Sequence, residues 1–316
     1  MNIQDWLLDS DPAIRWQVLR DLVRAPAAVV AAERARVAQE GWGARLLGLQ
    51  GEDGQWAGGA CFPAQFKWGA ENQGQPWTST LPTLQLLHDF GVDPRTDRVR
   101  NAIAQVKSNC RWEHAGQPFF DGEVEPCING RTVTLGTYFD QDMGGLVKRL
   151  LGEQLEDGGW NCDAENGSVR SSFNTTINVL EGLLAYERAT GGSADIAAAR
   201  RKGEEYLLER QLLRRKSTGE IVKPAWQQFS FPNRWHYDVL RALEYFRSAG
   251  DRPDPRMREA IELVRSKQRP DGTWPLENTY PGKIHFSLED GDNQPSRWNT
   301  LRALRVLSWY EQADAG

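Results

Sequence analysis

Two short stretches hold most of the groups able to do chemistry: Phe119-Phe-Asp121-Gly-Glu123-Val-Glu125-Pro-Cys127-Ile-Asn129-Gly-Arg131 and Trp160-Asn-Cys162-Asp163. A thiol near a helix N-terminus meets partial positive charge and free N–H groups, which lower its pKa and suit it to nucleophilic or acid/base work. Glu125, Cys127 and Cys162 are therefore the leading catalytic candidates, as a metal-free proton-transfer group or as the ligands of a metal. A histidine, His114, His236 or His285, would be the natural further donor. Asp142 in Asp140-Gln-Asp142-Met143, and His236 with Asp238 in His236-Tyr-Asp238, complete the catalytic set. Cys61 and Cys110 read instead as small buried hydrophobes.

Positioning these groups requires helices. Apolar residues recur with a period near 3.6 and few stretches alternate as strands do, so the class is all-α. One set of helices opens with related strings: Pro12-Ala-Ile-Arg15-Trp16-Gln17, Pro76-Trp77-Thr78-Ser79-Thr80, Cys127 to Phe139, Arg170-Ser-Ser-Phe173-Asn174-Thr175-Thr176, Pro232-Asn-Arg234-Trp235-His236 and Pro295-Ser-Arg297-Trp298-Asn299. Proline there is expected in the first helical turn, where its missing N–H costs nothing. Alternating with these are amphipathic, charge-rich helices expected at 27–49, 94–108, 141–154, 195–213 and 254–268, with irregular loops at 215–231 and 275–294. Six hairpins of an apolar inner and an amphipathic outer helix describe a single α/α toroid over residues 1–316, with a central cavity.

In a toroid the inner-helix starts converge. That convergence makes Arg15, Trp16, Trp77, Phe173, Asn174, Arg234, Trp235, Arg297, Trp298 and Asn299 the candidate substrate-binding residues. Helix N-termini and arginines favour an anionic head group, and aromatic walls suit an apolar or cationic hydrocarbon. The alternative for each residue is a capping or core role.

Three strings repeat along the chain: Gln50-Gly-Glu-Asp53-Gly54-Gln-Trp56, Gln154-Leu-Glu-Asp157-Gly158-Gly-Trp160 and Gln268-Arg-Pro-Asp271-Gly272-Thr-Trp274. Each closes an outer helix, at about twice a period of roughly 50–57 residues, the size of one helical hairpin with its loops. These strings resemble the QW repeats of squalene-hopene and oxidosqualene cyclases, and the hairpin alternation resembles the toroid those enzymes share with protein prenyltransferase β subunits. The resemblance implies that Gln and Trp of each copy tie an outer helix to the next loop. It also implies an isoprenoid-like substrate. Cyclases of this kind protonate their substrate with an Asp-x-Asp-Asp motif, and Asp140-Gln-Asp142-Met143 lacks the third acid. Prenyltransferase β subunits hold zinc with Asp-x-Cys and a later His; here stand Glu125-Pro-Cys127 and, in place of the His, Asn174.

The net charge of −5 argues against a nucleic-acid partner, whose phosphates call for basic patches. No apolar run approaches the ~20 residues of a membrane span, and the start lacks a basic region followed by an apolar one, so a cytoplasmic protein with reduced thiols is expected. The expected function is that of a terpene cyclase-like isomerase or lyase acting on a hydrophobic, isoprenoid-like small molecule by cyclisation, isomerisation, hydration or dehydration. Alternatives are a zinc-dependent prenyltransferase-like enzyme, a lipid- or protein-binding toroid, and a lyase of polysaccharides.

Overall fold

Helices that are apolar on nearly every face need cover all round, and the segments of that composition are the buried ones. The computed structural model describes residues 2–67 and 74–314. Its helices are α1 (Ile3–Leu8), α2 (Pro12–Asp21), α3 (Ala27–Arg36), α4 (Gly41–Leu47), α5 (Thr80–Phe90), α6 (Asp97–Asn109), α7 (Pro126–Tyr138), α8 (Gly144–Gly152), α9 (Phe173–Thr190), α10 (Ala194–Leu208), α11 (Val239–Ala249), α12 (Arg258–Ser266) and α13 (Arg297–Asp314). Among the described residues, isolated bridges apart, the strands are β1 (Trp274–Pro275) and β2 (Pro295–Ser296), paired antiparallel with Trp274 opposite Ser296. The class is all-α.

In α5 the buried residues run Thr80, Leu81, Pro82, Thr83, Leu84, Leu86, Leu87 and Phe90, almost without interruption. By contrast α6 buries Val99, Ala102, Ile103 and Val106, and α12 buries Ala260, Ile261 and Val264, single stripes at helical spacing with charged residues opposite. The described chain forms two compact units. One comprises Met1–Val124, Arg131–Val147 and Tyr280–Leu288; the other comprises Glu125–Gly130, Lys148–Thr279 and Glu289–Gly316.

The three repeated strings make the same bonds. Trp56, Trp160 and Trp274 are fully buried, and their indole N–H groups donate to the carbonyls of Leu46, Leu150 and Val264, each at 2.7 Å. Those carbonyls lie in the last turns of α4, α8 and α12, where the usual donor four residues on is missing and the N–H groups of Leu49, Glu153 and Lys267, three residues on, reach them at 3.1, 3.3 and 3.3 Å. The backbone N–H of each Trp donates to a threonine hydroxyl of a later helix: Thr80, Thr176 and Thr300. Gln50 Nε2 donates to the carbonyls of Gly54 and Ala102, and Gln154 Nε2 to those of Gly158 and Ala199. The second partner of Gln50 lies in α6 and that of Gln154 in α10, each one helix beyond the threonine; in the third copy no helix is described beyond α13, and Gln268 keeps the Gly272 carbonyl at 3.3 Å. The glycine of each Asp-Gly pair sits at positive φ (Gly54 +78°, Gly158 +96°, Gly272 +87°), which closes the turn before the Trp.

Several expected boundaries shift. The outer helix expected over 27–49 is two helices, because Gly41 takes φ +62° and the Asp11 carboxylate, which caps α2 at Ala13, also accepts from the Trp42 N–H at 2.8 Å. The helix expected over 195–213 stops at Leu208, and Gln211 and Leu212 follow in the left-handed region. Proline opens a helix in α2 and α7 only among the six inner starts. Elsewhere a polar cap sets the start: Asp238, fully buried, accepts from the Arg241 N–H at 2.7 Å so that α11 begins at Val239, well after Pro232. Likewise α13 begins at Arg297, after Pro295, with the Ser296 hydroxyl accepting from the Asn299 N–H at 2.9 Å, whereas α5 begins at Thr80, after Pro76, without a side-chain cap.

Gln154 is half-buried with two carbonyl partners, whereas Gln268 is exposed. Gln154→Ala is therefore expected to cost roughly 2 kcal/mol of stability and Gln268→Ala less than about 1 kcal/mol, as read by urea denaturation of the two variants.

Candidate functional site

Pro126 opens α7, so Cys127 occupies the second helical position, where a backbone N–H has no intrahelical acceptor. Cys162 opens the 3-10 turn Cys162–Asn166, two residues after Trp160. Asn161 holds that turn: its Oδ1 accepts from the Asp163 N–H, and its Nδ2 donates to the Arg170 carbonyl at 2.7 Å. The Trp160 carbonyl accepts from the Ser172 N–H at 2.8 Å, and Ser172 caps α9. Helices α7 and α9 approach closely because Gly130 and Gly182 face one another. A Cβ on Gly130 would lie 2.4 Å from the Asn178 carbonyl oxygen, and one on Gly182 would lie 2.4 Å from the Gly130 carbonyl oxygen.

These constraints bring Glu125, Cys127 and Cys162 together, with one carboxylate oxygen and both sulfurs within 4.8 Å of one another. The Cys127 thiol donates to Glu125 Oε2 at 3.4 Å, and Cys162 Sγ lies 3.5 Å from Thr175 Oγ1. The Cys162 thiol is pulled below its ordinary range, chiefly by hydrogen bonding to the Cys127 thiol. Burial opposes the shift, the Thr175 hydroxyl and Cys127 N–H add to it, and the Glu125 charge works against it. Cys110 is the opposite case, its thiol pushed up to about 12 by burial. Among the described residues no histidine belongs to the cluster. Two sulfurs and a carboxylate within 4.8 Å of one another are a donor set that suits a soft divalent ion such as zinc.

The other catalytic candidates stand elsewhere. Asp142 is exposed and accepts from the Gly144 N–H at 2.9 Å, which makes it the cap of α8. Asp238 accepts from Ser230, Asn233 and Arg241, and its carboxyl is raised by burial against the pull of Arg302. The His236 ring stacks on Trp235 with centroids 3.7 Å apart, and its carbonyl accepts from Arg241 Nη1. Two helix residues hold this loop: Asn174 Oδ1 accepts from the Tyr237 N–H, and Asn178 Nδ2 donates to the Trp235 carbonyl. Arg234 is buried in the same loop at φ +57°.

Of the remaining binding candidates, Phe173 packs among Tyr206, Trp226 and Tyr237. Trp298 stacks on Phe231 with centroids 4.2 Å apart. Next to Arg297 and Trp298 at the start of α13, Asn299 donates to the carbonyls of Phe229 and Pro275. Arg15 pairs with Glu33 and donates to the Ser10 carbonyl. The indole N–H groups of Trp16 and Trp77 donate to the carbonyls of Phe90 and Pro281. Capping and core bonds thus occupy many of these polar atoms.

Glu289 escapes sequence reasoning altogether. Within the 275–294 segment it accepts from the Ser296 hydroxyl and the Trp298 N–H, and burial pushes its carboxyl up to about 7. A single acid in an irregular loop carries no periodic signal that would have marked it.

No family model matches the chain, and no curated protein matches it in sequence. Among solved structures it is similar to the type II terpene cyclase MstE from Scytonema in its apo form, at 17% identity over 96% of this chain and 87% of that chain, TM-score 0.43. It is also similar to a variant of MstE in complex with geranylgeranyl dihydroxybenzoate, its substrate, at 16% identity over 96% and 86%, TM-score 0.42. Likeness of that degree carries no activity from one protein to the other.

The raised Glu289 carboxyl has a definite consequence for stability. Between about 4.5 and about 7 the folded chain holds a proton that the unfolded chain has released, so this group's contribution falls as pH rises through that window. The stability difference between wild type and Glu289→Gln is expected to shift against wild type by up to about 3 kcal/mol across it. Urea titrations at pH 4.5, 6 and 7.5 read the effect, and a difference independent of pH would contradict it.

Proposed function

We propose that this protein is a terpene cyclase-like enzyme that takes a hydrophobic, isoprenoid-like molecule into a six-hairpin α/α toroid and performs acid/base chemistry on it at Glu125, Cys127 and Cys162. The observation that carries the reading is the cluster itself, two thiols and a carboxylate within 4.8 Å. The thrice-repeated Gln–Trp–Thr bonding supports the toroid. The Cys127 thiol donates to Glu125 Oε2, and its sulfur lies within 4.8 Å of the Cys162 sulfur, so the three groups offer a short path for a proton. Cys162, whose thiol is pulled below its ordinary range, is the base; Glu125 takes or returns the proton at the other end. Asp142 caps a helix in solvent, so the third acid missing from the cyclase-type motif is not made good there. Glu289 is a second group able to carry a proton near neutral pH. Of the candidate binding residues, Phe173 and Trp298 offer aromatic faces for the hydrocarbon, and Arg234 and Arg297 offer charge for a polar head group.

A second reading has one specific observation in its favour, the sulfur, sulfur and oxygen donor set. Zinc bound by Glu125, Cys127 and Cys162 would supply Lewis-acid activation at its open position. Under either reading the same three side chains are essential.

Incubation with a panel of isoprenoid alcohols and diphosphates, followed by product analysis, tests the proposal. Glu125→Gln, Cys127→Ser and Cys162→Ser are each expected to lower turnover by at least about 100-fold while circular dichroism stays unchanged. Undiminished turnover in all three would overturn the assignment. Zinc below about a tenth of an equivalent in the purified protein removes the metal reading.

A further inference from the structure

Beyond any role in turnover, the two sulfurs of the cluster are placed to react with each other. Cys127 and Cys162 come from segments far apart in sequence, yet their sulfur atoms lie within 4.8 Å. The separation is maintained from both sides. Gly130 and Gly182 hold α7 against α9, and the turn carrying Cys162 is tied by Asn161 and by the Trp160 bonds to Leu150 and Thr176. A disulfide needs its sulfurs about 2.05 Å apart, so a movement of less than ~3 Å closes the gap. Cys162 is half-buried and thus reachable by a small solute, whereas Cys127, Cys61 and Cys110 are buried.

We propose that Cys162 and Cys127 form a hydroperoxide-responsive dithiol, in which Cys162 is oxidised first and Cys127 closes a disulfide that takes both sulfurs out of the cluster. In the first step the Cys162 sulfur attacks the outer oxygen of the hydroperoxide. An S–O bond forms, the O–O bond breaks, and the thiol proton leaves with the alcohol or water; sulfur is oxidised by two electrons and the peroxide reduced by two. In the second step the Cys127 sulfur attacks the Cys162 sulfenic acid. An S–S bond forms, the S–O bond breaks, and the hydroxyl departs as water with the Cys127 proton. Glu125 Oε2, 3.4 Å from Cys127 Sγ, is the acceptor through which that proton passes. The Thr175 hydroxyl, 3.5 Å from Cys162 Sγ, is placed to donate towards the same sulfur.

The test is intact-protein mass spectrometry after one equivalent of hydrogen peroxide on the full chain as purified, with peptide mapping. The expected product has lost two hydrogens, carries a Cys127–Cys162 cross-link and returns to the starting mass with dithiothreitol. Cys127→Ser is expected to stop at one added oxygen on Cys162, trapped by dimedone, and Cys162→Ser to lose its thiols at least about tenfold more slowly. A Cys61→Ser, Cys110→Ser double variant, which leaves the cluster untouched, is expected to behave as wild type. Oxidation scattered over Cys61 and Cys110, or no dimedone adduct on Cys162 in a folded Cys127→Ser protein, would overturn the proposal. The readout is mass rather than turnover, so it stands or falls separately from the proposed activity.

Discussion

An indole N–H donating to the carbonyl ten residues before it is the interaction on which most of this architecture depends. A carbonyl in the last turn of a helix has lost the donor four residues on, and at Leu46, Leu150 and Val264 the backbone offers only the N–H three residues on, at 3.1, 3.3 and 3.3 Å. Here a fully buried Trp takes that carbonyl at the ends of α4, α8 and α12. The same residue's backbone N–H reaches a threonine hydroxyl on a later helix, and the glutamine that ends the outer helix spans the intervening turn. One short string therefore fixes the end of one helix, the direction of the loop and the start of another helix.

That clamp accounts for the position of the candidate site. Cys162 stands two residues past Trp160, and its neighbour on α9, Thr175, stands one residue before the threonine that receives the Trp160 N–H. On the other side Cys127 is set by Pro126 at the first position of α7 and by the contact of Gly130 with α9. The acidity of Cys162 follows from this placement: the donors that favour its thiolate come from α7 and α9, and the Trp160 string holds the turn that carries it against both. Proton transfer and disulfide formation are both consequences of two sulfurs and a carboxylate sharing one small volume. The proposed disulfide differs from proton transfer in that two electrons also pass to the hydroperoxide, both thiol protons leaving with its reduced products.

The helical class, the alternation of apolar and amphipathic helices and the special status of Gln, Trp, Glu125, Cys127 and Cys162 were legible because each leaves a pattern of period or spacing. The threonine partners were not. They follow their tryptophans by 24, 16 and 26 residues, since the loops between differ in length and no fixed offset survives. Two helix starts fall later than proline suggests: the Asp238 carboxylate caps α11 well after Pro232, and α5 begins at Thr80, after Pro76, where the Ser79 hydroxyl donates to the Cys61 carbonyl instead of capping. Arginine and tryptophan at these starts looked like a ligand-binding set, yet Trp16, Trp77 and Asn299 bond to carbonyls that only the folded chain brings near. Glu289 acquires its character from burial, which its donors only partly offset, and no local sequence feature encodes that burial.

The claim that the Trp160 string sets the chemistry of Cys162 is tested most directly by titrating that thiol in Thr176→Val, through the ultraviolet absorbance of the thiolate in a background lacking Cys61 and Cys110. The substitution removes the hydroxyl that receives the Trp160 N–H while leaving Thr175, Cys127 and Glu125 in place. The Cys162 midpoint is expected to rise towards that of an ordinary thiol in a protein that is otherwise folded. An unchanged midpoint would mean that the cluster is held together without the clamp.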